Sequence, residues 1–563
     1  WLMAKSSRNH SDGNGRELSA RATRLFNAAS GWRTLNQELA ENFHPMQAGF
    51  TSSLALDENF NIDMMDSYPV QARQQLGDAV EAMLRQNNWF AVSSGDPDLD
   101  KFPAVARALE RMTQIVAAIL RSPKTHAKIA MKQADHDWVT FGANCFTWEE
   151  SQDRTRPILK VHHLRDVVWQ ENDDKEIDVA HRKLRKTARQ IMALVDSGRW
   201  GPVHPDIRNA SEKEPDRVFD FHHCLMPAGD YEYITRKVNF RAPFVSVYYD
   251  CENQMTVREA PAPWFNYIIN RWWRLGDCPW GFAPVAINTL PDGRMAQALG
   301  TMVLEQGEKA LDPPMIGSGD VFRNDINLWS GGFTMVDLSD GRNLQDVMTV
   351  VDTAKNIAVG ENMQQQLRSM IAEGFLLNKL MLPNTRDMTA FEVNWRTDEF
   401  RRAALPFFSP IEDEYHSRVL DGGLQMAFQM GALRREDVPR EIAGRDNLWS
   451  FTSPLNEAEG QKVAAAFRQT VADVASILQI DPTARNNVNW TEALQDALRG
   501  NGAKPGWLPT DEEKKALSEA QKQLSDAATQ AEALQRGASV AADVSNATIA
   551  ANQAGLMPQG AAA

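Results

Sequence analysis

The chain reads as an α+β protein, predominantly helical. Three observations predict this class. Apolar residues recur at three- and four-residue spacing through most of its 563 residues, the pattern of amphipathic helices. Alternating β-branched and aromatic residues concentrate between Lys132 and Glu259, where strands are expected. Proline and glycine punctuate the helical second half, as at Asp312-Pro313-Pro314, because a proline disfavours helical geometry in the residue before it. A chain this long exceeds one ordinary core, so two to four sub-domains are expected.

The elements follow in order. Helices are predicted over Ser19 to Arg33, Pro69 to Asn87 and Phe102 to Leu120. Lys132 to Glu150 passes from helix into strand around Gly142, and Ile158 to Gln170 alternates as a strand. Asp173 to Asp178 is a turn. It feeds the basic run His181-Arg182-Lys183-Leu184-Arg185-Lys186, predicted to open a helix through Val195. Val218 to Glu259 is the most strand-like region, with FVSVYYD and QMTVREA as antiparallel neighbours. Met295 to Leu311 is a helix following Pro291-Asp292-Gly293. Met315 to Asp346 is glycine-rich loop and short strand. Val347 to Leu377 is a long helix interrupted at Gly360 and Gly374. A short loop, Asn378 to Asp387, precedes a helical stretch, Met388 to Leu433, with kinks at Pro406 and Pro410. Ser453 to Leu478 is helical. Thr510-Asp511-Glu512-Glu513 is a capping box for a helix rich in Ala, Gln and Leu, whose thin apolar face needs neighbouring copies to pack against. Gln553 to Ala563 is a disordered tail.

Composition narrows the function. Hydrophobic content of 43% and charged content of 24% describe a folded, soluble protein. No apolar run approaches the roughly 18 residues that span a bilayer, and the start carries no signal-peptide pattern. No membrane partner is therefore expected. Net charge is −14, whereas a protein that grips DNA by its phosphates carries a basic surface. DNA is either irrelevant or must pass without sticking. Four cysteines (Cys145, Cys224, Cys251, Cys278) lack CxxC spacing and are expected as unpaired thiols.

Motifs for chemistry are absent. There is no GxxxxGK[ST] loop and no HExxH, and Gly317-Ser318-Gly319 lacks the context of a hydrolase nucleophile. His162-His163 and His222-His223-Cys224 are read as half-buried structural histidines, since adjacent strand residues face opposite ways and chelate poorly. No metal, cofactor or catalytic residue is expected. Asp398 with Arg402 and Glu414 with Arg418 are i,i+4 pairs of an exposed or inter-subunit helix face. The basic run suits a solvated or inter-subunit face better than a phosphate site, given the acidic balance. Trp272, Trp273 and Trp280 cluster too tightly for scattered surface residues and are read as anchors in an oligomer core.

Five segments, in order, resemble the podovirus-type portal, or head-to-tail connector, family. They are HDWVTFGANCFTWEE, DVVWQENDDKEIDVAHRKLRKTARQI, RWWRLGDCPWGFAPV, the run ending EKALDPP, and MTAFEVNWRTDEFRRAALPFFSPIEDEYHSRVL. They span roughly 130 to 435. Cys278-Pro279-Trp280 departs from the family's usual Pro-Tyr, and the N-terminal region matches loosely. The resemblance implies a ring, dodecameric in the capsid, around an axial channel for double-stranded DNA. It implies a wing over 1–289, a stem helix over 290–311, a clip over 312–346 and a second stem helix with its continuation over 347–377. A channel loop over 378–387, a kinked tunnel helix over 388–433, a crown over 434–508 and a C-terminal barrel helix with tail over 509–563 complete it. The channel loop would present Asn378, Lys379, Asn384, Thr385 and Arg386 to DNA. The clip would dock terminase or adaptor through Asp320, Arg323, Asn324, Asp325, Trp329 and Asp337. Trp272, Trp273, Trp280, Arg402 and Arg418 would pack between subunits. Implied partners are the terminase large subunit, a tail adaptor, and the major capsid, scaffolding and internal core proteins. Assembly in the host cytoplasm and residence at a capsid vertex of the virion follow. The rival readings are another virion protein, such as an adaptor or internal core protein, and a carboxylate-dependent hydrolase. An adaptor is normally much shorter, and the hydrolase has only the abundance of carboxylates behind it.

Overall fold

The computed structural model describes residues 13–51, 64–85, 89–96, 99–151, 153–235, 241–311, 315–317, 348–350, 357–377, 409–442, 448–451 and 466–472, with isolated positions between 493 and 546. The chain divides into two units. One comprises residues 1–92, 112–437 and 448–456; the other comprises 93–111, 438–447 and 457–563. In the second unit, Asp100 fixes the entry to a helix by accepting from Ser93 Oγ (2.7 Å) and from the Ser94 N–H (3.1 Å).

The first unit opens with helices α1 (Gly13–Ala28) and α2 (Ser30–Phe43), which divide the first predicted helix at Ala29. Helix α3 (Tyr68–Leu84) takes Pro69 in its first turn, where the missing N–H costs nothing. The chain then passes through strand β1 (Phe90–Ser93) and helix α4 (Pro103–Arg121), whose residues 93–111 belong to the second unit, before α5 (Ala127–Phe141). Gly142 ends α5 with φ +71°, its N–H donating to Trp138 O at 2.9 Å. A side chain at Gly142 would also strike the Phe282 backbone. Glycine is thus required for conformation and for space.

Strand β2 (Ala143–Glu150) then runs between β3 (Pro157–Val161) and β9 (Tyr267–Arg271) in a three-stranded antiparallel sheet. A five-stranded antiparallel sheet has the order β4 (Val167–Glu171), β5 (Ile177–Thr187), β6 (Val218–Pro227), β7 (Phe244–Asp250), β8 (Thr256–Ala262). The predicted neighbours FVSVYYD and QMTVREA are β7 and β8, with Val247 opposite Glu259. Helices α6 (Ala188–Asp196) and α7 (Pro205–Lys213) cover one face, placing Ile191 and Ile207 in a cluster with Phe219 and Phe221. Helix α1 and α8 (Ala228–Thr235) cover part of the other, where Leu18 and Tyr231 join Cys224, Val247 and Tyr249. Within this most strand-like region α8 lies between β6 and β7.

The basic run is corrected. His181 to Lys186 lies inside β5, not at the start of a helix. The helix begins at Ala188, where Thr187 and Gln190 exchange side-chain and backbone hydrogen bonds in a capping box. Pairing of β5 with strands on both sides outweighs the helical propensity of Lys, Leu and Arg. His181 and Arg182 are buried, while Lys183 and Arg185 are exposed. Arg182 sits against Glu149 and His162.

The adjacent histidines point apart. His222 Nδ1 meets Tyr249 Oη at 2.9 Å, whereas His223 lies between Tyr267 Oη (2.6 Å) and Ser246 Oγ (2.8 Å). No group of His, Cys, Asp or Glu suited to a metal occurs among the described residues. Burial holds His181 down at about 3 and His222 at about 4, against 6.5 for a free imidazole. A base with a depressed folded-state pKa binds more protons when unfolded. Its contribution is therefore complete above pH 6.5 and is lost as pH falls toward 4, by up to ~1.4 kcal/mol per pH unit for each histidine. Melting temperature is expected to drop between pH 7 and pH 5, less steeply in His181→Gln. Parallel pH profiles for the two proteins would contradict this assignment.

A buried arginine joins the sheets to a late helical segment. Arg271, at the end of β9, is fully buried. It pairs with Glu171 of β4, lies 3.5 Å from Glu414, and donates to Lys175 O (3.1 Å) and Pro279 O (3.3 Å). Burial lowers its pKa to about 10, still far above neutrality. Glu414 belongs to a π-helical stretch, Ile411–His416, that starts directly after Pro410 and passes into the helix Ser417–Gln429. The predicted irregularity at Pro410 thus takes the form of a π segment; Pro406 lies outside the described residues. Arg271→Met leaves the largely buried Glu171 without its cation and Glu414 with Arg418 alone. Expected destabilisation is about 3–5 kcal/mol, read by urea unfolding. A loss below about 1 kcal/mol would show that the ion pairs are dispensable.

Candidate functional site

The segment Arg271 to Phe282 is the first part of the site. Strands β10 (Trp273–Arg274) and β11 (Gly281–Phe282) form a short antiparallel ribbon. Its base is gripped by indoles: Trp32 Nε1 donates to Gly281 O and Trp169 Nε1 to Pro279 O, both at 2.8 Å. Trp280 is buried and stacks on Trp32 at 5.3 Å. Trp272 stacks on Trp138 at 6.1 Å. Both therefore pack within one chain, whereas Trp273 is 57% exposed. Of the tryptophans expected between subunits, only Trp273 presents most of its surface outward.

Helix α9 (Pro284–Leu311) follows directly, with Pro284 in its first turn. It starts earlier than Met295 and carries Pro291 inside it. The sequence reading had taken Pro291-Asp292-Gly293 as a boundary. Instead, Gly293 is where α9 meets the Phe43 ring, a Cβ there falling 3.1 Å away.

Beyond α9, strand β12 (Met315–Gly317) pairs antiparallel with β13 (Met348–Val350), Met315 opposite Val350. Helix α10 (Ile357–Gly374) returns alongside α9. The expectation of one helix from Val347 is corrected: the β-branched stretch at its start is strand, which fits Met-Thr-Val better than a helix does. Gly360 does not interrupt α10, whereas the helix ends at Gly374, where a break was expected. Both glycines are points where α10 touches α9.

The register between these helices comes from the glycines. A Cβ on Gly374 would fall against Thr289 Oγ1, well inside contact distance, and one on Gly360 would lie 2.9 Å from Val303 Cγ2. Thr289 precedes Val303 on α9, while Gly374 follows Gly360 on α10, so the helices are antiparallel. With β12 and β13 they make one hairpin whose ends straddle residues 318–347. Near its base, buried Asp66 accepts from Arg368 Nε (3.1 Å) and Gln364 Nε2 (3.2 Å) on α10. Gln297 Oε1 of α9 accepts from the Met65 and Asp66 N–H groups. Residues 65–66 thus strap the two helices together.

The hairpin exposes large apolar residues. Met295, Met302, Leu304 and Leu311 of α9 are all more than half exposed, as is Val359 of α10. Met295 and Leu304 are nine residues apart, as are Met302 and Leu311. At about 100° per residue that separation is a half-turn, so Met295 and Met302 lie on one side of α9 and Leu304 and Leu311 on the opposite side.

Most of the other predicted site residues lie outside the described residues: Asn378, Lys379, Asn384, Thr385 and Arg386; Asp320, Arg323, Asn324, Asp325, Trp329 and Asp337; and Arg402. Arg418 is described. It donates to Ile269 O at 3.0 Å and meets Glu414 at 3.6 Å, the expected i,i+4 pair. Sequence reasoning missed Asp66, Thr289 and the contact role of the glycines. The fourteen-residue spacing of Gly360 and Gly374, which puts both on one helix face, was the available signal.

A family profile described as Bacteriophage head to tail connecting protein matches residues 15–508. The chain belongs to that family. It is 20% identical over 546 residues to a protein named Portal protein from Salmonella phage epsilon15, covering 93% of this chain and 95% of that one. It is 21% identical over 468 residues to a Probable portal protein from Bordetella phage BPP-1, covering 81% of each.

The glycine contacts generate a test. Gly374→Leu should force the hairpin helices apart and cost about 1–3 kcal/mol. The smaller change Gly374→Ala should be largely rescued by Thr289→Ala, which removes the two nearest atoms. Urea midpoints that ignore the second substitution would contradict the register.

Proposed function

We propose that this connector-family chain is the portal subunit of a phage: a ring at one capsid vertex through which double-stranded DNA is packaged and ejected. One observation beyond the family carries the reading. The α9/α10 hairpin presents apolar side chains on opposite sides of α9, and water-exposed apolar surface of this kind marks an interface. A protomer with two different sticky sides makes heterologous contacts, which close into a ring when the rotation permits. The hairpin supports the stem, with the stem helix extended back from 290 to Pro284. Residues 312–346 between its ends would be the clip, offering Asp320, Arg323, Asn324, Asp325, Trp329 and Asp337 to the terminase large subunit and later a tail adaptor. The two sheets and the N-terminal helices fall in the wing.

In this reading the ring is a dodecamer and contacts the major capsid, scaffolding and internal core proteins as it is built in the host cytoplasm. Residues 388–433 form the tunnel helix, 434–508 the crown and 509–563 the barrel and tail. The protein makes and breaks no bonds, the energy for packaging coming from the terminase. Repeated around a ring, Lys379 and Arg386 add positive charge to an otherwise acidic bore. Such a collar holds DNA through phosphates without reading sequence.

The test is to replace Lys379 and Arg386 by Ala in the phage. Expected is normal assembly with at least about a ten-fold loss of filled heads, equivalent to about 1.4 kcal/mol. Normal yields of filled, stable heads would contradict the channel-loop assignment.

A further inference from the structure

The basic run His181 to Lys186, expected on a solvated or inter-subunit face, divides by strand alternation. Arg182 turns inward to Glu149 and His162, while Lys183 and Arg185 lie on the opposite face of β5. That face is covered at one end by Leu18 of α1 and Tyr231 of α8. The cover stops at Phe26, whose ring lies 4.2 Å from Lys183 Nζ. Beyond it a cavity of about 420 Å³ opens, lined by Arg165, Asp166, Lys183, Arg185, Asp220 and His222 among others.

The charges in this cavity are unbalanced. Arg165 pairs with Asp166 and Arg185 with Asp220, each at 3.5 Å. Lys183 pairs with no carboxylate among the described residues. Arg33 also sits on the Phe26 ring, at 5.5 Å. Burial, and then Arg33, lower the Lys183 pKa against the opposing pull of Asp166 and Asp220, so the two lining carboxylates do not offset the loss of water around this cation. The two lining carboxylates would oppose a run of phosphates, so a nucleic-acid strand fits poorly. A single carboxylate-bearing loop, entering toward Lys183, fits well.

The same strand carries such a loop at its other end. The β4–β5 turn contains Asp173 and Asp174, both exposed and with no ion pair among the described residues. The turn is rigid. Asn172 donates from its N–H to Glu176 O and accepts from the Glu176 N–H through Oδ1, both at 2.9 Å. Lys175 takes a left-handed φ of 64°, and its carbonyl is held by buried Arg271. A loop already fixed in shape loses little freedom when it docks. Lys183 lies about 20 Å along β5 from Ile177, at about 3.3 Å per residue. Acidic loop and basic cavity are therefore well separated on one protomer, the arrangement a head-to-tail contact between identical subunits requires.

We infer that the cavity around Lys183 and Arg185 is a carboxylate-binding site that receives the Asp173-Asp174 turn of a second copy of this chain. The inference rests on the ring reading, and its test separates the two. Rings are to be counted in images of purified wild type, Lys183→Glu/Arg185→Glu, Asp173→Lys/Asp174→Lys, and the chain carrying all four changes. All four positions are exposed, so folding is expected to survive and is checked by circular dichroism. Each double variant should lose at least about ten-fold in assembled fraction, about 1.4 kcal/mol per contact or more. The four-fold variant, with both charges exchanged, should regain rings yet fail to co-assemble with wild type. Full assembly of either double variant, or no rescue in the four-fold variant, overturns the inference. A second arm needs no ring. A labelled cyclic peptide spanning Glu171 to Glu176 should bind the Asp173→Lys/Asp174→Lys chain, and lose at least about ten-fold in affinity when Lys183→Glu/Arg185→Glu is added. No binding, or equal binding to both, overturns it. A wild type that stays monomeric while this peptide binds contradicts the ring reading and leaves the carboxylate site supported.

Discussion

The buried Arg271 is the constraint on which the rest of the first unit depends. A guanidinium with no exposed surface is tolerated only where carboxylates and carbonyls surround it. Those partners come from β4, from the β4–β5 turn, from the tryptophan-rich segment and from the π segment after Pro410. One side chain thereby fixes the distance between the strand-rich part of the chain and a helix more than a hundred residues later. The fork geometry of arginine suits this task, since its donors reach several acceptors at once. Lysine, a single point charge, would reach fewer.

The surrounding packing follows from this knot. β9 pairs with β2, Arg271 opposite Ala143, and Gly142 lets the chain enter β2 from α5 while the Phe282 backbone passes close by. The three indoles of Trp32, Trp169 and Trp280 then close over the segment, with two of their N–H groups donating to carbonyls of the segment. Helix α9 leaves from this anchored base, and its direction is set before it meets α10. The hairpin can therefore extend its apolar sides outward without losing its footing. Its exposed methionines and leucines make sense as contact surface for another protomer rather than as core.

Much of this was legible in the sequence. Gly142 announced a helix-to-strand change, FVSVYYD and QMTVREA announced a hairpin, and the aromatic segment announced a packing centre. What failed did so for physical reasons. Lys183, Leu184 and Arg185 are good helix formers, so local propensity favoured a helix that pairing on both strand edges overruled. Pro291 looked like a boundary because interior prolines usually break helices, yet α9 runs through it. Gly360 looked like a break because glycine weakens helices, and its use with Gly374 as a close-contact point depends on a partner helix that no local pattern reveals. The same limit hid Asp66, whose importance comes from two helices some 230 and 300 positions away. Trp272 and Trp280 were expected between subunits, and no local pattern could say that Trp138 and Trp32 of the same chain stack on them.

The central claim is that two unlike apolar sides of one hairpin bring identical chains into a closed ring. Native mass spectrometry of the purified 63.1 kDa chain tests it most directly. The account predicts a large, discrete assembly of fixed copy number with no ladder of open filaments. A population made only of monomers, or of dimers that grow no further, would contradict it, because a dimer pairs like surfaces and leaves nothing for a third chain to bind.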